Sequence, residues 1–166
     1  MRLHKQPGEI RVRPDYVFLP FEKTESFVEH LRDAIGHFYG PTEEERSRNP
    51  DYCRIVSDNH FNRLAKLLEG SVKMGARIEI GGNMNAKERF IAPTVLSNVS
   101  PQSPIMDDEI FGPLLPILQY RNIEEAYEYI RNHDKPLALY VFSSNKANTE
   151  AVKPLLGFKN VKNLCH

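Results

Sequence analysis

The chain has 166 residues, of which 40% are hydrophobic and 27% charged, a composition typical of one globular domain and not of a disordered chain. Lysine and arginine together number 22, as do aspartate and glutamate, so no field of one sign would attract nucleic acid or an anionic membrane. No stretch approaches ~18 consecutive apolar residues and no apolar run follows the basic start, so we expect a soluble, cytoplasmic chain without a membrane span or a signal peptide.

The first half of the sequence alternates between strand and helix patterns. A β-branched and aromatic run is followed by apolar residues at helical spacing, then by an acidic stretch that reads as a solvated link, and then by a second helical pattern. Ser57 is a suitable N-cap for this second helix, and Gly70 is expected to end it. The predicted strand, helix, link and second helix lie at 15–20, 24–39, 42–50 and 58–70.

The second half continues the alternation. Strands are predicted at 77–80, 90–96, 114–120 and 137–142, the last of a buried type, and a helix is predicted from Ile123. Pro93 favours an edge or a bend in its strand, and Asn122 with Glu125 forms a capping-box pattern before the helix. This order predicts an α/β fold with a mostly parallel open sheet and flanking helices.

Three consecutive acids, Asp107, Asp108 and Glu109, run into an apolar segment broken by Gly112 and Pro113. They could form a carboxylate pair for acid–base chemistry, because like charges held together raise one pKa. A solvated acidic turn is the favoured interpretation. However, the apolar continuation is expected to draw Glu109 toward buried chain, where a carboxylate needs a hydrogen-bond donor such as a ligand hydroxyl.

Neither the two cysteines nor the six histidines, which are dispersed along the chain, indicate a metal site. The cysteines are Cys53 and Cys165, which lie far apart and belong to no C-x-x-C pair, so neither a metal site nor a disulfide is predicted. Cys53 comes just before a predicted helix, where a thiol can be activated. We interpret it nevertheless as a thiol without a catalytic role.

Several motifs, taken in order and spacing, resemble the C-terminal part of the catalytic domain of the aldehyde dehydrogenase superfamily, in particular its class 3 and fatty-aldehyde branch. They are Asp51–Val56 with His60-Phe61, Arg89–Leu96, Glu109–Pro113 and Lys135–Ser143. The likeness runs from about residue 8 to about residue 145. It implies an aldehyde dehydrogenase-like fold and, for the family, NAD(P)-dependent oxidation of aldehydes to carboxylic acids.

The resemblance implies roles for two residues. In the family, the glutamate of Glu-Ile-Phe-Gly-Pro accepts hydrogen bonds from the hydroxyls of the nicotinamide ribose, and the phenylalanine lies near the nicotinamide. These roles fall on Glu109 and Phe111, which are therefore the predicted NAD or NADP contacts. A carboxylate can accept two hydroxyl hydrogens at once. The alternative is that both residues serve only in packing.

The family's nucleophilic cysteine lies in a turn that resembles Gly8–Tyr16 here, and Arg11 stands in the cysteine's place. A guanidinium stays protonated and has no free lone pair, so Arg11 cannot attack an aldehyde. Glu9 and Ile10 also depart from the family pattern, so the difference covers the whole turn. A frame or splice difference before Val12 would also explain it. No catalytic residue is therefore predicted in this chain.

The expected organisation is a divergent segment at 1–13, a partial catalytic domain at 14–145 and a divergent or truncated tail at 146–166. We expect a truncated family member whose isolated chain is inactive and binds NAD(P) weakly at best. The alternative is a non-catalytic interaction or regulatory module that pairs with a full-length aldehyde dehydrogenase, as a homo- or hetero-oligomer, through surface that missing segments leave uncovered. A less favoured hypothesis is an active enzyme completed by a separate chain.

Overall fold

The computed structural model describes residues 14–134, 138–145, 150 and 162–163, so Arg11 and Cys165 lie outside the described residues. The chain divides into two compact units, 1–120 and 121–166. The predicted domain boundaries near residues 13 and 145 stay a prediction. Each unit is described by itself below.

The first unit contains a four-stranded sheet and a small two-stranded ribbon. Its strands are β1 (Val17–Pro20), β2 (Arg77–Ile80), β3 (Met84–Asn85), β4 (Phe90–Ile91), β5 (Thr94–Ser97) and β6 (Leu114–Tyr120). In the larger sheet the order is β1-β6-β5-β2, with β6 parallel to both β1 and β5 and β2 antiparallel to β5. The ribbon pairs β3 with β4 in antiparallel orientation. The predicted mostly parallel α/β sheet is therefore confirmed, with an antiparallel strand at one edge.

Helices flank both faces of this sheet. α1 (Thr24–Tyr39) lies on one face and α3 (Asp58–Lys73) on the other, and the short helix α2 (Glu43–Arg48) lies between them in the sequence. The neighbouring β5 residues Val95 and Leu96 belong to different apolar clusters, because successive side chains of a strand point to opposite faces. Val95 packs in the cluster that α1 completes, whereas Leu96 packs in the cluster that α3 completes.

The predicted end of α3 at Gly70 is wrong, because the helix continues to Lys73. Gly70 lies inside the helix, where a Cβ would come within 3.2 Å of the Pro104 ring. The backbone turns instead at Gly75, whose φ of 101° suits glycine. Gly70 is thus a site of close packing and not a helix terminus.

The predicted solvated link at 42–50 contains the short helix α2, which the sequence analysis missed. Thr42 and Glu45 form a capping box: the Glu45 N–H donates to Thr42 Oγ1 at 3.2 Å and the Thr42 N–H donates to Glu45 Oε2 at 3.0 Å. The side chains are solvated, as predicted, but their backbone is helical. Local capping outweighed the lack of apolar residues.

The second unit begins with α4 (Ile123–Asn132), whose predicted capping box of Asn122 and Glu125 is confirmed. It also contains β7 (Tyr140–Val141) and β8 (Lys162–Asn163), which pair in parallel. The expected buried strand at 137–142 is wrong in its burial: Tyr140 and Val141 are half-buried and Phe142 is 74% exposed. Tyr127 on α4 packs with the half-buried Val141 of β7.

Candidate functional site

Residues 109–113, which we name the 109–113 loop, lead from a 3₁₀ turn at Pro104–Met106 into β6. Ile110 anchors this loop, because its side chain is only 1% exposed and packs in the cluster that includes Leu64 and Leu114. Its two neighbours, Glu109 and Phe111, are both exposed.

Charged side chains from two distant elements hold the backbone of Ile110. The N–H of Ile110 donates to both carboxylate oxygens of Asp15, at 3.1 Å each. Its carbonyl accepts from the Arg63 guanidinium on α3, which also donates to the carbonyl of Glu109 at 3.2 Å. Hydrogen bonds in which one partner is ionised are stronger than neutral ones. The peptide groups of Ile110 therefore lie between an anion and a cation.

The negative charge of Asp15 also affects its chain neighbour. Burial raises the pKa of the Tyr16 hydroxyl, and the Asp15 carboxylate raises that pKa further. Tyr16 therefore stays protonated at neutral pH. The ring of Tyr16 packs edge-on against Phe18 at a centroid distance of 5.6 Å.

Phe111 has an unusual backbone conformation. Its φ of 47° lies in the left-handed region, which is uncommon for a bulky residue, and its side chain is 63% exposed. His60 Nε2, on α3, lies 2.7 Å from the Phe111 carbonyl oxygen, so the ring nitrogen donates when it carries a proton. A strained backbone beneath an exposed aromatic ring is typical of a residue placed for binding.

Gly112 and Pro113 complete the turn. Gly112 is buried, and a Cβ there would lie 2.4 Å from Leu64 Cδ2, so only glycine fits against α3. The Pro113 carbonyl accepts from the Thr94 N–H at 2.8 Å, which joins the loop to β5. Hydrogen bonds thus join the backbone of the loop to Asp15 just before β1, to α3 and to β5.

The expectation that Glu109 is drawn toward buried chain is wrong. Ile110 takes the buried place, and Glu109 is exposed together with Asp107 and Asp108. The solvated acidic turn is confirmed, and Asp108 Oδ1 accepts from the Glu109 N–H at 2.8 Å. Within the described ranges, neither carboxylate oxygen of Glu109 has a hydrogen-bond or ion-pair partner. Its acceptor oxygens are therefore available to a ligand.

Cys53 lies elsewhere on the surface. It is exposed and lines a cleft of about 790 Å³ between α2 and the 49–54 segment. The lining residues include Arg48, Arg54 and Glu88 but neither Glu109 nor Phe111. The structure thus does not bring Cys53 together with the 109–113 loop. Among the residues it describes, no group of three histidine, cysteine, aspartate or glutamate side chains could hold a metal ion.

The sequence patterns did not predict that Asp15, His60 and Arg63 contact the 109–113 loop. His60 and Arg63 are three residues apart and therefore share one face of α3, a spacing that the sequence shows. Their contacts with the loop span about 50 residues, and Asp15 contacts a residue 95 positions away. Such long-range pairs have no local sequence signal.

Comparison with known proteins identifies the family. The pattern of the "Aldehyde dehydrogenase family" matches residues 7–162, which is most of the sequence. The chain belongs to the aldehyde dehydrogenase family. It is 41% identical over 138 residues to "Aldehyde dehydrogenase family 3 member A2" of Rattus norvegicus, covering 83% of this chain and 27% of that protein. It is 43% identical over 138 residues to "Aldehyde dehydrogenase, dimeric NADP-preferring" of Bos taurus, covering 83% of this chain and 54% of that protein.

Solved aldehyde dehydrogenase structures share the fold. The substrate-bound state of Staphylococcus aureus AldH matches with a TM-score of 0.84 and 36% identity, over 95% of this chain and 33% of that chain. The NAD+ complex of a Bacillus cereus aldehyde dehydrogenase matches with a TM-score of 0.71 and 26% identity, over 90% of this chain and 30% of that chain. The chain thus spans roughly a quarter to a half of the length of these family members. No helix in the described part is long and apolar enough to cross a membrane.

Proposed function

We propose that the 109–113 loop forms the nicotinamide-ribose side of an NAD(P) site in an aldehyde dehydrogenase. One observation carries this proposal: a backbone fixed by charged and buried partners presents an exposed carboxylate and an exposed aromatic ring on either side of a buried anchor. A rigid loop that exposes such side chains is preorganised for a ligand, because little conformational entropy is lost on binding.

The residues fit the chemistry of the cofactor. The unpaired oxygens of Glu109 can accept from the two hydroxyls of one ribose. Phe111 offers an aromatic face to the planar nicotinamide ring. NAD(P), when bound, supplies the hydride acceptor for aldehyde oxidation. The roles of the two side chains here are to orient the ribose and to hold the ring beside it.

A calorimetric titration of the chain with NAD+ and NADP+ tests this assignment. We expect a dissociation constant on the order of 1 mM, about 4 kcal/mol, because two side chains contact only part of the cofactor. Glu109→Ala should abolish measurable binding, whereas Glu69→Ala, at an exposed position on α3, should leave it unchanged. Equal affinity of both variants would contradict the assignment, and a micromolar constant for the unaltered chain would contradict the expected weakness.

We also propose that the 166-residue chain does not oxidise aldehydes on its own. Arg11 stands where the family has its nucleophilic cysteine, and an arginine side chain cannot form the covalent intermediate that this chemistry requires. Purified protein mixed with medium-chain aldehydes and NAD+ or NADP+ should reduce no more cofactor than a heat-killed sample. Reduction above that control would contradict the proposal.

Exposed apolar side chains favour a second candidate function, a module that pairs with another aldehyde dehydrogenase subunit. In the described sheet β1 pairs on one side only, and Phe21, directly after it, is 57% exposed. The relative from Bos taurus is named dimeric. Size-exclusion chromatography with light scattering, alone and with a full-length relative, should then show a complex. A monomer that forms no complex with the relative would contradict this function.

We propose, in addition, that the protein is located in the cytoplasm.

A further inference from the structure

We infer that Asp15 is a positioning residue that sets the direction in which Glu109 and Phe111 face a bound cofactor, an inference that rests on the proposed function. Its carboxylate lies 3.1 Å, through each oxygen, from the N–H of Ile110, 95 residues along the chain. No residue of the 109–113 loop supplies this acceptor. A buried backbone N–H needs one, so the contact is part of the loop's construction.

A buried side chain alone does not fix the orientation of the loop. Packing of the Ile110 side chain places its Cα, but the two peptide planes beside it could still rotate about the chain. Asp15 fixes the plane on the N–H side, and Arg63 fixes the plane on the carbonyl side. These are the planes that Ile110 shares with Glu109 and Phe111, so the two bonds decide where those side chains point.

The sheet explains why Asp15 is available for this contact. β1 and β6 are parallel with Val17 opposite Ile117, so Asp15 lies level with the start of β6. The loop enters β6 at this same end, because parallel strands begin at the same edge of a sheet. Asp15, two residues before β1, therefore lies beside the loop.

Amide hydrogen exchange measured by NMR on the full chain tests the positioning role without any cofactor. Asp15→Ala should raise the exchange rate of the Ile110 amide about tenfold while the Ile117 amide in β6 stays protected, which shows that the fold is intact. Asp15→Asn should have a smaller effect, because its amide oxygen keeps one acceptor. Asp33→Ala, at an exposed position on α1, should change nothing.

An acid titration of the Ile110 amide resonance supplies a signature that a merely structural residue would not give. In the unaltered chain this resonance should shift in acid, and Asp15→Asn should make that shift smaller, because it removes the carboxylate that the Ile110 N–H contacts. Asp108→Asn, which alters the neighbouring acid, should leave the shift in place. An acid shift of the Ile110 resonance that is as large in Asp15→Asn as in the unaltered chain would overturn the inference.

Further outcomes separate this inference from the proposed function. Unchanged Ile110 exchange in Asp15→Ala, or equal acceleration at Ile117, would overturn the positioning role. In a titration with NAD+, Asp15→Ala should weaken binding at least about threefold, and unchanged affinity would also overturn it. If the unaltered chain binds no NAD+, the proposed function fails, and the exchange comparison still decides whether Asp15 positions the loop.

Discussion

At the scale of single residues, Phe111 combines two features that cost stability. Its φ of 47° places a bulky residue in the left-handed region, which costs roughly 1–2 kcal/mol, and its ring leaves 63% of its surface in water. A residue selected for packing would adopt a relaxed backbone and bury its ring. The combination is better explained by binding, because strained residues cluster at ligand sites.

Phe111→Gly should therefore separate stability from binding. Glycine adopts positive φ without a steric penalty, so Phe111→Gly should be more stable than Phe111→Ala by about 1 kcal/mol in urea unfolding. Both variants should bind NAD+ more weakly than the unaltered chain. If alanine proves as stable as glycine at this position, the backbone of Phe111 is not strained.

Gly112 should tolerate no side chain. A Cβ would lie 2.4 Å from Leu64 Cδ2, so the fully buried Leu64 side chain would have to shift. Gly112→Ala should lower the free energy of unfolding by about 1–3 kcal/mol. Gly36→Ala is a matched control inside α1, where the new methyl group would have its nearest neighbour at 3.7 Å and should leave stability unchanged or raise it. An equally destabilised Gly36→Ala would contradict the steric explanation.

At the scale of elements, the capping box of α2 makes stability depend on pH. Hydrogen bonds from the Thr42 N–H and then from its hydroxyl hold the pKa of Glu45 below its ordinary value of 4.5. Because the pKa of Glu45 is lower in the folded chain than in the unfolded chain, its carboxylate stabilises the fold at pH values above the unfolded-state pKa. This contribution is lost as the pH falls through the folded-state pKa. The stability difference between the unaltered chain and Glu45→Gln should therefore shrink below pH 4.5.

The N-cap itself supplies the comparison for this prediction. Thr42→Ala should cost about 1 kcal/mol at neutral pH in urea unfolding. Ser57→Ala should cost a similar amount at α3, but without the pH dependence, because His60 and not an acid lies at the third helical position. A difference between the unaltered chain and Glu45→Gln that stays constant down to pH 3, roughly a unit and a half below the ordinary value, would contradict the proposed link.

The same capping pattern shows what the sequence predicts and what it does not. Asn122 with Glu125 predicted the start of α4, because an apolar helical pattern follows it. Thr42 with Glu45 shows equal capping chemistry, but no apolar face follows, and α2 was missed. Helices with an apolar stripe are therefore predictable, whereas a short solvated helix depends on its cap alone.

The candidate site also has some features that could be predicted from the sequence and others that could not. The Glu109–Pro113 motif is local, so its resemblance to the family motif was enough to predict Glu109 and Phe111 as cofactor contacts. The burial of Ile110 between them and the supports from Asp15 and α3 depend on which elements pack together. Sequence reasoning placed Glu109 toward buried chain because it could not tell which of two neighbours the fold would bury.

At the scale of the whole molecule, the chain corresponds to part of a family member's length, 33% of the solved Staphylococcus aureus AldH chain. Its described sheet lies within the first unit, and so do the described contacts of the 109–113 loop with Asp15, with Thr94 and with α3. We assign to the 109–113 loop only the nicotinamide-ribose part of the cofactor. Because this contact is small, we expect weak binding.

Mapping NAD+ onto the chain by NMR tests directly whether the 109–113 loop contacts the cofactor. Titration of the isotope-labelled protein with NAD+ should shift the amide resonances of Glu109–Phe111 most strongly, with a midpoint on the order of 1 mM. Resonances around Cys53, which lines a separate cleft, should stay in place. Shifts centred on the Cys53 cleft, or no shift of Glu109 and Phe111 at saturating NAD+, would contradict the account.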